Sequence, residues 1–83
     1  MTTGVQFNGS LSPNQTHQWY TWGWPASDHV FWYMMPTSPA NSSELTWNIA
    51  VQRTSATQCT YWITVTNQTG NPINFEGRYA ILN

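Results

Sequence analysis

The chain has 83 residues and a formal net charge of −1, and its only charged side chains are two arginines and three carboxylates. That length makes one domain, residues 1–83, and the missing basic stripe argues against nucleic acid and against anionic lipid as partners. Against so little charge stand six tryptophans, four tyrosines and three phenylalanines, more ring surface than a domain of this size is expected to hide.

The segment Met1–Val5 carries no positive n-region and no apolar run, so synthesis in the cytosol without a signal peptide is expected. No stretch reaches the length of a membrane span. Helix formers are scarce along the whole chain, whereas Thr, Val, Ile and aromatic residues fill the ordered-looking runs and alternate with a period of two.

A first strand is predicted at about Val5–Leu11, with Val5, Phe7 and Leu11 on one face. Ser12-Pro13-Asn14-Gln15 follows as a turn, in which Pro presets one corner and Asn tolerates the next. The second strand, about Thr16–Trp24, puts Trp19 on one face and Tyr20, Trp22 and Trp24 on the other, so periodicity leaves its inner side open. Pro25–Asp28 closes it. The third, about His29–Met35, is apolar on both faces, which predicts a central strand or one at an interface.

Pro36–Ser43 is irregular and long enough to carry the chain between sheets. In the fourth strand, about Glu44–Arg53, Leu45, Trp47, Ile49 and Val51 point inward. Thr54–Gln58 is a loop. The fifth strand, about Cys59–Asn67, turns Cys59, Tyr61, Ile63 and Val65 inward and leaves Trp62 outside among threonines. Gln68–Pro72 is a turn with Gly70 expected at positive φ. The sixth, about Ile73–Leu82, sets Ile73, Phe75, Gly77, Tyr79 and Ile81 on one face and Asn74, Glu76, Arg78 and Ala80 on the other.

Six short strands with turn signals between them predict an all-β fold, a small antiparallel β-sandwich or barrel, because no connection can hold a crossover helix. The segment Tyr61-Trp-Ile-Thr-Val-Thr-Asn-Gln-Thr-Gly-Asn-Pro-Ile-Asn-Phe75 is similar in style to a strand–turn–strand unit of immunoglobulin-like accessory modules. That likeness implies a hairpin and no activity.

Proton-transfer and nucleophilic chemistry have few candidates. Asp28 and His29 are sequence neighbours, so a strand would point them to opposite faces. His17 and His29 lack zinc-type spacing, and Cys59 is a lone cysteine without basic neighbours in sequence. The carboxylates Asp28, Glu44 and Glu76 fall in different elements, and no phosphate loop or nucleophile elbow occurs. No enzyme, no cofactor and no metal site is expected. The sequons at Asn8, Asn14, Asn41 and Asn67 are read as a by-product of composition.

Binding is the better-supported class. A sugar offers an apolar C–H face and a hydroxyl rim, which Trp and neutral Asn, Gln or Thr complement. The leading candidate is Trp62, with Glu76 and Arg78 expected beside it if the fifth and sixth strands pair. The second is Trp22-Gly23-Trp24-Pro25 with Asp28, since Gly between two Trp permits close approach. The expected function is a non-catalytic, lectin-like carbohydrate-binding module that forms a homo-oligomer, with a glycan as partner. The alternatives are a structural assembly protein whose rings are subunit contacts and a membrane-active β-protein.

Overall fold

The computed structural model describes all residues, Met1–Asn83. Six strands form: β1 (Thr2–Leu11), β2 (Thr16–Pro25), β3 (Val30–Ser38), β4 (Leu45–Arg53), β5 (Gln58–Asn67) and β6 (Ile73–Ile81). They build two three-stranded antiparallel sheets, ordered β1-β6-β3 and β2-β5-β4, with no helix. The sandwich expected from strand spacing is therefore the fold adopted. β-Branched and aromatic residues fill the strands, where a pleated and half-buried backbone suits them. The first turn behaves as its residues demand: Asn14 takes φ 59°, and Gln15 N–H donates to Ser12 O at 3.1 Å.

The two central strands carry the core. Cys59, Tyr61, Ile63 and Val65 of β5 are buried against Ile73 and Phe75 of β6, so their period-two alternation reads directly as inside and outside. One end of the interior is aliphatic, around Leu11, Leu45, Val65 and Ile73. The other is aromatic, with Trp24 set edge-on to Trp32 at 5.3 Å and Trp32 at 5.4 Å from Tyr61. Burial, reinforced by the neighbouring Cys59 thiol, pushes the Tyr61 phenol up to about 12. The Trp32 indole N–H is the one buried side-chain polar atom without a partner.

Several of these rings lie over a cross-strand neighbour in their own sheet that has no side chain. A Cβ on Gly9 would lie 2.5 Å from the Phe75 ring and 2.9 Å from the Trp19 ring. Gly4 stands in the same way under Tyr79, and Gly77 under Phe7. Each glycine is a socket for a ring.

Asn67 fastens the aliphatic end. It is 1% exposed, and its amide N–H2 donates to the carbonyls of Leu11 (3.4 Å), Ser12 (3.1 Å) and Asn71 (2.7 Å). Its Oδ1 accepts from the Thr69 N–H and hydroxyl at 2.8 and 2.7 Å. One side chain thus joins the end of β1, the end of β5 and the 68–72 turn.

Several expectations are corrected. β5 and β6 belong to different sheets, so the Gln68–Pro72 turn crosses the sandwich instead of closing a hairpin. Gly70 does not take positive φ; Asn14, Ser42 and Gly23 do. β3 is an edge strand, not a central one, and its second apolar face, with Phe31 and Tyr33, is exposed. A bulge at Gln6 shifts the β1 register between Val5 and Phe7, which turns Val5 outward while Phe7 and Leu11 stay inside. Val51 keeps inward parity yet is 64% exposed, and Trp47 is half-buried at the rim, edge-on to Tyr33 at 5.7 Å.

Asn67→Ala leaves buried carbonyls and the 68–72 turn without donors and is expected to cost about 2–3 kcal/mol in urea unfolding. Gly9→Ala drives a methyl into the Phe75 and Trp19 rings and is expected to cost about 1–3 kcal/mol, while Gly70→Ala, with open space around it, stays within about 0.5 kcal/mol of wild type.

Candidate functional site

The outer face of the β2-β5-β4 sheet gathers exposed rings on an uncharged surface. Tyr20 on β2 pairs with Trp62 on β5, and their rings overlap at 5.0 Å with an interplanar angle of 28°. Trp22, two residues further along β2, lies 5.6 Å from Tyr20 with its ring tilted by 33°. The ladder therefore runs Trp62–Tyr20–Trp22. Trp22 is 70% exposed and Tyr20 58%, whereas Trp62 is half-buried. The Trp62 indole N–H donates to Gln52 Oε1 of β4 at 2.8 Å, which fixes the ring's tilt.

A bulge in β2 creates this arrangement. Thr21 pairs with Tyr61 and Trp24 with Cys59, so Trp22 and Gly23 together oppose Thr60 alone. Gly23 supplies the positive φ of 78° that the bulge needs. Trp22 stays on the outer face, but Trp24 swings to the inner one. There its indole N–H donates to the buried Thr21 hydroxyl at 2.9 Å, and that hydroxyl also accepts from Gln6 Nε2 at 3.2 Å. Trp22 and Trp24 therefore do not share a face, contrary to the alternation expected from sequence.

Beyond the ladder the same face holds two cross-sheet rows, Thr16–Thr66–Thr46 and Gln18–Thr64–Asn48. Thr16 and Thr66 hydroxyls bond at 2.7 Å, and Gln18 Nε2 donates to Thr64 at 3.2 Å. Every polar group here is neutral. Such a surface offers ring faces for C–H contact and hydroxyl or amide groups for hydrogen bonds.

Glu76 and Arg78 lie elsewhere. They sit on the outer face of the β1-β6-β3 sheet, on the opposite side of the sandwich from Trp62, because β5 and β6 do not pair. Arg78 Nη2 meets Glu76 Oε1 at 2.9 Å in an ion pair left partly open to solvent. Around it lies an open groove of about 490 Å³, with Val5, Phe31, Tyr33 and Tyr79 among its walls. Phe31 is 66% exposed. In register, Arg78 stands between Val5 on β1 and Tyr33 on β3.

The remaining candidates are dispersed. Asp28 lies at the end of the sandwich, where Asn83 Nδ2 donates to its carboxylate at 2.9 Å. His29 Nδ1 is 2.7 Å from Asn83 Oδ1, and the His17 ring packs edge-on against Trp19 at 4.6 Å. The two histidines flank different sheets and do not meet. Cys59 is buried. Of the residues singled out from sequence, the fold brings together Trp62 with Trp22, and Glu76 with Arg78. Tyr20 shares the face of Trp22 as its parity predicts, whereas its stacking on Trp62 and the Trp62–Gln52 hydrogen bond depend on β2-β5-β4 pairing.

Comparison with protein-family models, with curated proteins and with solved structures returned no match.

Trp22 is the most exposed indole of the ladder and should dominate the quenchable fluorescence. Trp22→Phe is expected to remove most of the acrylamide-accessible emission while the buried Trp32 signal persists, as a Stern–Volmer titration measures.

Proposed function

We propose that the chain is a non-catalytic carbohydrate-binding module whose contact surface is the Trp62–Tyr20–Trp22 ladder. The observation that carries this reading is the pairing of well-exposed rings with a sheet face free of charge. Leaving rings in water forgoes about 25 cal/mol per Å² of apolar area, so an exposed ladder has free energy to gain from a guest. Ionic ligands find no partner there. A neutral glycan finds ring faces for its C–H surface, with Gln18, Gln52, Thr64 and Asn48 nearby for its hydroxyls.

Trp22 is the anchor in this reading because it is the most exposed of the three rings. Trp62 is clamped between Tyr20 and the Gln52 hydrogen bond, so it supports the ladder and adds an edge. Trp24 and Asp28, proposed from sequence as contacts, stand apart from this surface. The Glu76–Arg78 groove, with its aromatic walls, supports a second contact surface of related chemistry on the opposite face.

Glycan-array screening followed by calorimetric titration tests the reading. Single-site binding is expected in the millimolar range, about −4 kcal/mol. Trp22→Ala is expected to weaken it by about 2 kcal/mol, and Arg78→Ala to leave it unchanged if the ladder is the primary surface. Loss of binding in Arg78→Ala alone would move the site to the groove. No binding to any neutral glycan at millimolar concentration would sink the proposal.

A further inference from the structure

We infer that two copies of this chain associate through the free edge of β4, pairing antiparallel so that the β2-β5-β4 sheet continues into its partner as one six-stranded sheet. This rests on the edges of the sandwich and is independent of the ligand reading.

A sandwich of two three-stranded sheets has four edge strands, here β1, β3, β2 and β4. An open edge is a row of unpaired N–H and C=O groups, a template for another strand, and monomeric proteins blunt such edges with bulges, proline or charge. Three of the four are blunted. β1 is bulged at Gln6. β2 is bulged at Trp22–Gly23 and ends in Pro25. β3 contains Pro36 and a shift between Pro36 and Ser38.

β4 has none of these devices. Its nine residues pair with β5 from Leu45↔Asn67 to Arg53↔Cys59 without a register shift, and none is proline. It carries no charge before Arg53 at its last position. No backbone hydrogen bond outside the sheet ladders uses a β4 residue. The edge is regular and its outer backbone groups make no hydrogen bond.

Side chains on the same strand select a second copy as the occupant and antiparallel as the direction. Val51 has inward parity but is 64% exposed, and Ile49 and Trp47 beside it are only half-buried. A two-fold axis through Ile49, normal to the sheet, sets Ile49 against its own copy and Trp47 against the partner's Val51. That register covers the incompletely buried apolar side chains on both copies at once. Charge agrees. Glu44 immediately precedes β4 and Arg53 ends it, so antiparallel pairing sets Arg53 at the same end as the partner's Glu44, one position out of register, whereas parallel pairing would bring like to like. The same axis keeps outer faces together. Both aromatic ladders would then face one side, giving any ligand of that face two sites and avidity.

Size-exclusion chromatography with light scattering on the full chain reads the outcome. The wild type is expected as a dimer at micromolar concentration. Val51→Lys places a charge at an already exposed position, so the fold should persist by circular dichroism while the dimer dissociation constant rises by about tenfold or more. Ile49→Cys is expected to give an intermolecular disulfide under mild oxidation, with the wild type, whose buried Cys59 is its only thiol, as the uncross-linked control. A monomeric wild type overturns the inference. So does a dimer that survives Val51→Lys, or an Ile49→Cys chain that does not cross-link.

Discussion

The structure depends on fitting large rings into the narrow space between two short sheets. Facing sheets stand about 10 Å apart, and rings from both sheets share that space edge-on, as Trp24 does with Trp32 and Trp19 with Phe75. The chain meets this constraint by deletion. Gly9 faces Phe75 and Trp19, Gly77 faces Phe7, and Gly4 faces Tyr79, so a ring from one strand occupies space that its opposite number leaves empty. Close packing of this kind gives a small domain an apolar interior large in area for its length, and at the other end Trp24, Trp32, Tyr61 and Tyr79 add a cluster of rings set edge-on or tilted to one another.

The bulges are the second device. Because side chains alternate strictly along a strand, one extra residue reverses inside and outside for everything beyond it. In β2 the reversal at Trp22–Gly23 takes Trp24 into the interior while Trp22 stays out beside Tyr20. In β1 the reversal at Gln6 sends Val5 to the surface and keeps Phe7 within. Both bulges meet at the Thr21 hydroxyl, which accepts from Gln6 and from Trp24. The buried polar node and the exposed ladder are thus two results of the same local irregularity. The reading of the outer face as a sugar surface draws its support from that ladder and from the neutrality of the rows around it.

The two outer faces differ in chemistry although they belong to one small sandwich. The β2-β5-β4 face is neutral, with hydroxyl and amide groups that bond among themselves, as Thr16 to Thr66 and Gln68 to Thr46 at 2.8 Å. The β1-β6-β3 face concentrates Glu76 and Arg78 at its centre, held to each other and walled by exposed rings. This separation follows from topology. β5 and β6 are consecutive in sequence but central in opposite sheets, so their outward side chains look in opposite directions.

The sequence by itself determined the strands, the all-β class and the inward sets of β5 and β6, because in regular strands burial follows a period of two that needs no partner to be read. It also determined that Trp62 points outward among threonines. Only the tertiary structure decided which strands pair, that Trp22 and Trp24 part company, and that Glu76 and Arg78 stand away from Trp62. The physical reason is that a bulge costs one residue and leaves composition and propensity unchanged, while the crossing after Asn67 is held by contacts that Asn67 makes with Leu11 and Ser12, more than fifty positions away in sequence. Local patterns encode local faces; pairing is settled where distant segments meet.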